Sequence, residues 1–225
     1  MALQLVIGNK NYSSWSLRPW WFLRRMGVPF EEICLSLFTE DWFRDIQRYS
    51  PTGKVPVLVD GDVTVWDSLA ILDYVQEQYC DGQGWPRDRA ARATARAIAA
   101  EMHSGFMAIR TELPQNLRRR CQWAVTDLSP SAQGEVARVT HLWHSHYQRY
   151  GGPWLLGEFS IADAMYAPVA LRFVTYGITL PAIATQFIDA VVNDPAIQQW
   201  QADAQGEPET LPSIDAIAPF AHRHA

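Results

Sequence analysis

Three short stretches in the first third of the chain carry residue types whose spacing can do chemistry. The run Asn11-Tyr12-Ser13-Ser14 lies between an apolar, strand-like segment and a helix-like one. Hydroxyls there either cap the helix or donate to an anion that its free N–H groups and dipole also favour. The run Lys54-Val55-Pro56-Val57-Leu58 places a proline at the entry to an apolar strand, where it removes one ladder donor and restricts Val55 to an extended backbone. A cis Val55–Pro56 bond turns the Val55 N–H and C=O outward, where an extended peptide can pair with them. The pair Asp67-Ser68 stands where a strand becomes a helix. It serves as a helix cap, or else Ser68 and the nearby N–H groups hold a carboxylate while Asp67 faces an ammonium. All three stretches belong at strand ends, where open α/β sheets collect ligands.

The surrounding pattern supplies the elements that must position them. Residues 3–7 form a compact apolar run ending at Gly8, a buried strand. Residues 15–26 read as a helix, with Pro19 near its first turn and Gly27 as its stop. A strand at 30–37 and a short helix at 40–48 follow. Residues 55–59 and 63–66 flank the hairpin turn Asp60-Gly61-Asp62. Leu69, Leu72, Val75 and Tyr79 recur at helical steps over 68–79. The order βαβαββα fits a small sheet with helices on both faces. Residues 80–86 have linker composition, and helical periods follow at 87–110, 131–150, 161–176, 183–192 and 195–204. The tail from residue 206 to 225 reads as irregular and draped on the surface. Two domains are expected, an α/β one over 1–80 and an all-α one over 87–225.

Composition narrows the function classes. The chain has 225 residues with a formal charge of −5 and no basic tail, which argues against nucleic acid as the main partner. The three cysteines, Cys34, Cys80 and Cys121, form no C-x-x-C or metal spacing, so no metal and no dithiol chemistry are expected. No apolar run approaches about 18 residues, so no membrane span is expected, and the first residues read as a strand rather than a signal. A cytoplasmic protein is the expectation. Only Lys10 and Lys54 are lysines, against 17 arginines, which singles both out.

The Ser-Ser run before the first helix, Lys-Val-Pro-Val-Leu and Asp-Ser-Leu-Ala-Ile-Leu-Asp-Tyr together resemble the cytosolic glutathione S-transferases, over nearly the whole chain. Ser13-Ser14-Trp15-Ser16-Leu17-Arg18 is most similar to the zeta class, with Trp15 standing where that class has a cysteine. The resemblance implies a thioredoxin-like βαβαββα domain that binds glutathione as co-substrate, followed by an all-helical domain that helps hold a small electrophile. It also implies a homodimer. Val55 then pairs through its backbone with the cysteinyl part of glutathione, with Pro56 cis. Ser68 takes the γ-glutamyl carboxylate, Asp67 lies near its ammonium, and Lys54 meets the glycyl carboxylate. A serine hydroxyl at the start of helix one stabilises the thiolate, which then conjugates or isomerises the electrophile. Ser13 is the first choice and Ser14 the second, with Asn11 and a tyrosine-type role for Tyr12 still open.

Elsewhere, Ser160-Ile161-Ala162-Asp163 resembles the family's capping box and is given a structural role. Met102, His103, Phe106, Met107 and Arg110 recur at helical steps on an Ala-rich helix. Of these, His103, Phe106 and Arg110, with Tyr12, are candidates for the substrate pocket, where His103 and Arg110 suit an acidic substrate. Arg118-Arg119-Arg120 reads as a solvated run. The competing reading is a non-catalytic module of the same fold that binds partners or apolar ligands. A thiol-dependent reductase is disfavoured because no cysteine precedes Cys34.

Overall fold

A computed structural model describes residues 2–223. Its first half is built on a four-stranded sheet in the order β2-β1-β3-β4, with β1 Gln4–Gly8, β2 Glu31–Leu35, β3 Val57–Asp60 and β4 Val63–Trp66. Strand β1 is parallel to β2 and antiparallel to β3, and Val6 pairs with both Ile33 and Val57. Helix α1, Ser14–Arg25, makes the crossover between β1 and β2, and Gly27 at φ +68° turns the chain back. Helix α2 covers Glu40–Asp45 under a Thr39 cap, and α3 covers Ser68–Tyr79 under an Asp67 cap. The strand expected at 55–59 begins at Val57, because Pro56 has no N–H to give the ladder. This is the thioredoxin-like arrangement.

The rest is almost wholly helical. Helix α4 is Arg89–Ser104, α5 is Met107–Glu112, α6 is Pro130–Tyr150, α7 is Ile161–Tyr176, α8 is Ala182–Val192 and α9 is Pro195–Gly206. The single helix expected over 87–110 is broken. Phe106 takes a left-handed backbone at φ +59°, and a Cβ on Gly105 would come within 2.9 Å of the Glu101 carbonyl. Arg110 then reaches back, Nε donating to the Gly105 carbonyl at 3.0 Å and Nη2 to that of Met102, and so caps the end of α4.

Helix α7 is the hub of the core: it is buried nearly all round and packs against α1, α4 and α8. Its start is the expected capping box. Asp163 accepts from the N–H groups of Ser160 at 2.7 Å and Leu155 at 2.8 Å. One apolar cluster runs from Leu5 and Ile7 of β1 through Trp20 and Trp21 of α1 to Trp143, Trp200 and α7. The two halves are thus packed as one body around α1. Lys10 helps lock them. It is 7% exposed, pairs with Glu32 and Asp203 at 2.7 Å each, and lies over the rings of Trp20 and Trp200. Its role is structural.

The tail departs from the expected irregular drape. It carries two short helices, α10 Pro212–Asp215 and α11 Phe220–Arg223, and it is clamped to the loop before α1. The carboxylate of Glu207 accepts from the N–H groups of Lys10 and Asn11, at 2.5 and 2.9 Å. Arg118 donates to the carbonyls of Glu207 and Glu209, and Arg119 to those of Asp215 and Ile217. Two of the three arginines read as solvated are therefore tail clamps, and only Arg120 is exposed. Residues 224 and 225 of the expected tail and domain lie outside the described residues, as does residue 1.

Candidate active site

Two adjoining cavities open at the carboxyl end of β1, where α1 starts. The first, about 350 Å³, is lined by Trp15, Thr52, Lys54, Val55, Pro56, Trp66, Asp67, Ser68 and His103. All five residues that the resemblance assigns to glutathione contact meet on this one wall. The Val55–Pro56 bond is cis. Ser68, 1% exposed, opens α3, and its hydroxyl receives Nη1 of Arg18 at 3.4 Å. Asp67 occupies the left-handed region at φ +77°. One carboxylate oxygen caps α3 by accepting from Leu69 N–H at 2.9 Å, and the other lies 3.1 Å from Nε2 of His103. The free N–H groups of the first turn of α3 and the Ser68 hydroxyl suit an anion, and Asp67 beside them suits a cation.

The second cavity, about 550 Å³, is lined on one side by Tyr12, Ser13, Ser14 and Trp15. Leu37, Phe38, Trp42 and Phe43 make an apolar wall, the tail contributes Leu211 and Ile214, and Arg110, Gln115 and Arg172 come from the helical half. Trp15, Lys54 and Val55 line both cavities, so the two spaces meet at the first turn of α1. Trp15 carries the guanidinium of Arg18 at 4.1 Å and that of Arg110 at 4.6 Å, and His103 meets its ring edge at 5.4 Å.

The two serines do different work. Ser13 is the N-cap of α1: its Oγ accepts from Ser16 N–H and its own proton goes to Ser16 Oγ at 2.7 Å. Ser14 Oγ instead accepts from Nη2 of Arg172, 3.0 Å away on α7. A hydroxyl has one proton and two lone pairs, and a guanidinium can only donate, so Ser14 keeps its proton for another acceptor. Tyr12 has no such freedom. Its hydroxyl bonds the Asp215 carboxylate at 2.9 Å and receives Arg118 Nη2 and Leu211 N–H. Asn11 is wholly buried, and its Oδ1 accepts from Arg118 N–H.

Among the second-half candidates, His103 reaches the first cavity and Arg110 the second, by separate helices rather than one face. Phe106 lines neither cavity: it is 6% exposed and packs edge-on against Tyr166 in the core. Three polar residues at the site escape a reading by spacing: Arg18, Arg172 and Gln115. Arg18 is fully buried, and burial together with Arg110 and Arg172 holds its pKa well below the usual arginine value. Gln115, 2% exposed, has no partner for either carboxamide atom among the described residues. A sequence signal did exist for Arg172, as the one charged residue in the second half of an otherwise apolar helix.

A family model described as the N-terminal domain of glutathione S-transferase matches residues 12–78, which span both cavity walls from the first half. Over a longer stretch, the chain is 34% identical across 187 residues to glutathione S-transferase 1 of Dianthus caryophyllus, covering 77% of this chain and 78% of that one. The chain belongs to the glutathione S-transferase family. A dichloromethane dehalogenase of Methylorubrum extorquens is 48% identical over 67 residues, 28% of this chain. The chain spans only 22% to 31% of the length of the first curated relatives it matches in this way. The same transferase fold recurs in a glutathione transferase homolog from Burkholderia with bound glutathione, at a TM-score of 0.68 and 23% identity, covering 92% of this chain and all of that one.

Proposed function

We propose that this protein is a glutathione transferase that activates the glutathione thiol for attack on small electrophiles. The observation that carries the reading is the meeting of the two cavities at the first turn of α1, where Trp15, Lys54 and Val55 line both. A tripeptide in the first cavity and an electrophile in the second then share a boundary beside Ser13 and Ser14. The γ-glutamyl carboxylate fits Ser68 and the N-terminus of α3, its ammonium fits Asp67, the cysteinyl backbone fits Val55, and the glycyl carboxylate fits Lys54. The relative with bound glutathione supports a glutathione site in this fold.

The chemistry follows from thiol acidity. A cysteine-type thiol has a pKa of about 8.5 and is mostly protonated at neutral pH. A hydroxyl donating to the sulfur and the N-terminus of α1 both favour the thiolate. The thiol proton goes to water, the sulfur lone pair forms the new C–S bond, and the leaving group departs with its bonding electrons. Addition to a conjugated double bond, followed by reversal, gives isomerisation by the same activated sulfur. The geometry favours Ser14 over Ser13 as the donor, since the Ser13 proton is committed to Ser16. The apolar side chains of the second cavity suit small apolar electrophiles. In this reading residues 1–80 and 87–225 act as glutathione-binding and substrate-binding domains of a cytoplasmic homodimer engaged in detoxification.

Retention on immobilised glutathione, with turnover of a chlorodinitrobenzene, tests the reading. Both are expected. Absence of retention and of turnover rejects the glutathione reading in favour of a non-catalytic module, and light scattering checks the dimer.

A further inference from the structure

The helical half sends a charged side chain to the sulfur end of the site. Arg172 sits on α7, 4% exposed, and its Nη2 donates to Ser14 Oγ at 3.0 Å. Its Nε and Nη1 have no hydrogen-bond partner among the described residues. Two further guanidinium groups act on the same space: Arg110, which shares the cavity wall, and Arg18, wholly buried behind Trp15. Arg110 has two of its nitrogens taken by backbone carbonyls, with Glu135 partly offsetting its charge. Among the described residues Arg18 has only Ser68 as a hydrogen-bond partner, with Asp67 partly offsetting its charge at a distance. Burial and the Arg110 charge pull the pKa of Arg172 down to about 9, so the group still carries its charge at neutral pH. A buried guanidinium without a counter-charge is costly to fold around and calls for an anion at the cavity it lines.

We propose that Arg172 is a positioning residue for the transferase reaction: its guanidinium holds Ser14 Oγ as an acceptor, so that the Ser14 hydroxyl directs its proton at the glutathione sulfur and the thiolate becomes the anion that balances the buried cations. The proposal rests on the glutathione reading above. It joins two observations 158 residues apart in sequence. One is a serine at the first turn of α1 whose proton is left available, and the other is a buried cation with donors to spare. The thiol proton leaves to water, and the negative charge remains on sulfur, where the Ser14 O–H and the three guanidinium groups stabilise it together. Ser13 takes no part in this, because its hydroxyl is spent on the helix cap.

The test is spectroscopic and independent of the electrophile. Purified wild type, Arg172→Met, Arg172→Lys, Ser14→Ala and the Ser14→Ala/Arg172→Met double variant are saturated with glutathione. The bound thiol is then titrated by its thiolate ultraviolet absorbance. Arg172→Met is expected to raise the pKa of the bound thiol by about 1 to 2, and Arg172→Lys to restore part of that change. Ser14→Ala raises it too, and adding Arg172→Met to that background moves it by clearly less than Arg172→Met moves the wild type, the remainder being the direct effect of the Arg172 charge on the sulfur. Because an unpaired buried charge is removed, the melting temperature of unliganded Arg172→Met is expected to hold or rise. A bound-thiol pKa that stays put in Arg172→Met overturns the proposal, whatever the melting temperature does. So does full additivity in the double variant. A loss confined to carboxylate-bearing electrophiles, with the thiol pKa unmoved, assigns Arg172 to the electrophile and also overturns it. If wild type binds no glutathione, the glutathione reading itself fails, and this is seen before any variant is made.

Discussion

His103 and Asp67 meet across the boundary between the two halves, Nε2 of the ring lying 3.1 Å from Oδ2 of the carboxylate. Asp67 is thereby held from both sides, since its other oxygen caps α3. With the ring either charged or in its Nε2–H form, His103 donates, and the carboxylate is fixed where it faces the first cavity. Asp67→Asn keeps a side chain that caps helices and tolerates a left-handed backbone, while it removes the charge and turns the acceptor facing His103 into an amide donor. Glutathione affinity is expected to fall about 10-fold, the scale of one charge-assisted hydrogen bond, with kcat changed much less. Calorimetric titration with glutathione checks it, and an unchanged affinity removes Asp67 from the ammonium site.

Ser13 and Ser14 are adjacent, yet only one of their variants should lose the chemistry. Ser13→Ala deletes an N-cap acceptor and is expected to cost about 1 kcal/mol, lowering the melting temperature by about 2 to 4 °C. Its kcat should stay within a few-fold of wild type. Ser14→Ala should lower kcat by about 10- to 100-fold, the effect of one hydrogen bond to a charged group, and should lower the melting temperature as well, because it leaves the buried Arg172 Nη2 without its acceptor. Steady-state kinetics beside thermal melts decide the assignment, and the reverse pattern returns the catalytic role to Ser13.

What was legible in the sequence was local. The cap at Ser13, the proline entry at Val55-Pro56, the Asp67-Ser68 helix start and the Ser160–Asp163 box each involve residues within a few positions of one another. Their physics is set by backbone geometry that such short spacings determine. The break at Gly105 and Phe106 was hidden because the apolar period continues through it, and glycine alone does not stop a helix. Arg172 and the tail were hidden for another reason. Their partners, Ser14 and the loop at Lys10 and Asn11, lie about 160 to 200 residues away in the chain, and only the packing of α1 against α7 and α9 brings them together. A charge inside an apolar helix marks such a residue as unusual without naming its partner.

Acid should act on the contact between α4 and α6. Arg138 donates to both oxygens of Glu101, at 2.7 and 2.8 Å, and these bonds hold the Glu101 carboxyl below its ordinary value of 4.5. Its folded pKa is depressed, so the folded state binds fewer protons than the unfolded one. The stabilisation is therefore fully present above about 4.5 and is lost as pH falls through the depressed value. Both side chains are partly exposed, so the pair is worth at most about 1 kcal/mol and weakens in salt. Glu101→Gln should lower the melting temperature slightly at neutral pH and show no difference from wild type in strong acid. A gap that persists in acid means the packing of Glu101, not its charge, is what α4 and α6 share.

The tail should set both the stability of the loop before α1 and the size of the second cavity. Tyr12 bonds Asp215, receives Arg118 and Leu211, and lies in the same apolar cluster as Leu211 and Ile214. Tyr12→Phe leaves the ring in place and strips Arg118 and Asp215 of a shared partner, at a cost of about 1 to 3 kcal/mol. Turnover should persist, because the Tyr12 hydroxyl is engaged with Asp215, Arg118 and Leu211. Deleting residues 207–225 goes further: it removes Leu211 and Ile214 from the cavity wall and the Glu207 carboxylate from the N–H groups of Lys10 and Asn11. With a wall of the cavity gone, KM for bulky apolar electrophiles should rise several-fold while glutathione affinity changes little, since the tail lines only the second cavity. Parallel kinetics with the full chain, varying each substrate in turn, distinguish the two. If the truncated protein loses glutathione instead, the tail acts through the Asn11-to-Ser14 loop rather than through the wall it builds.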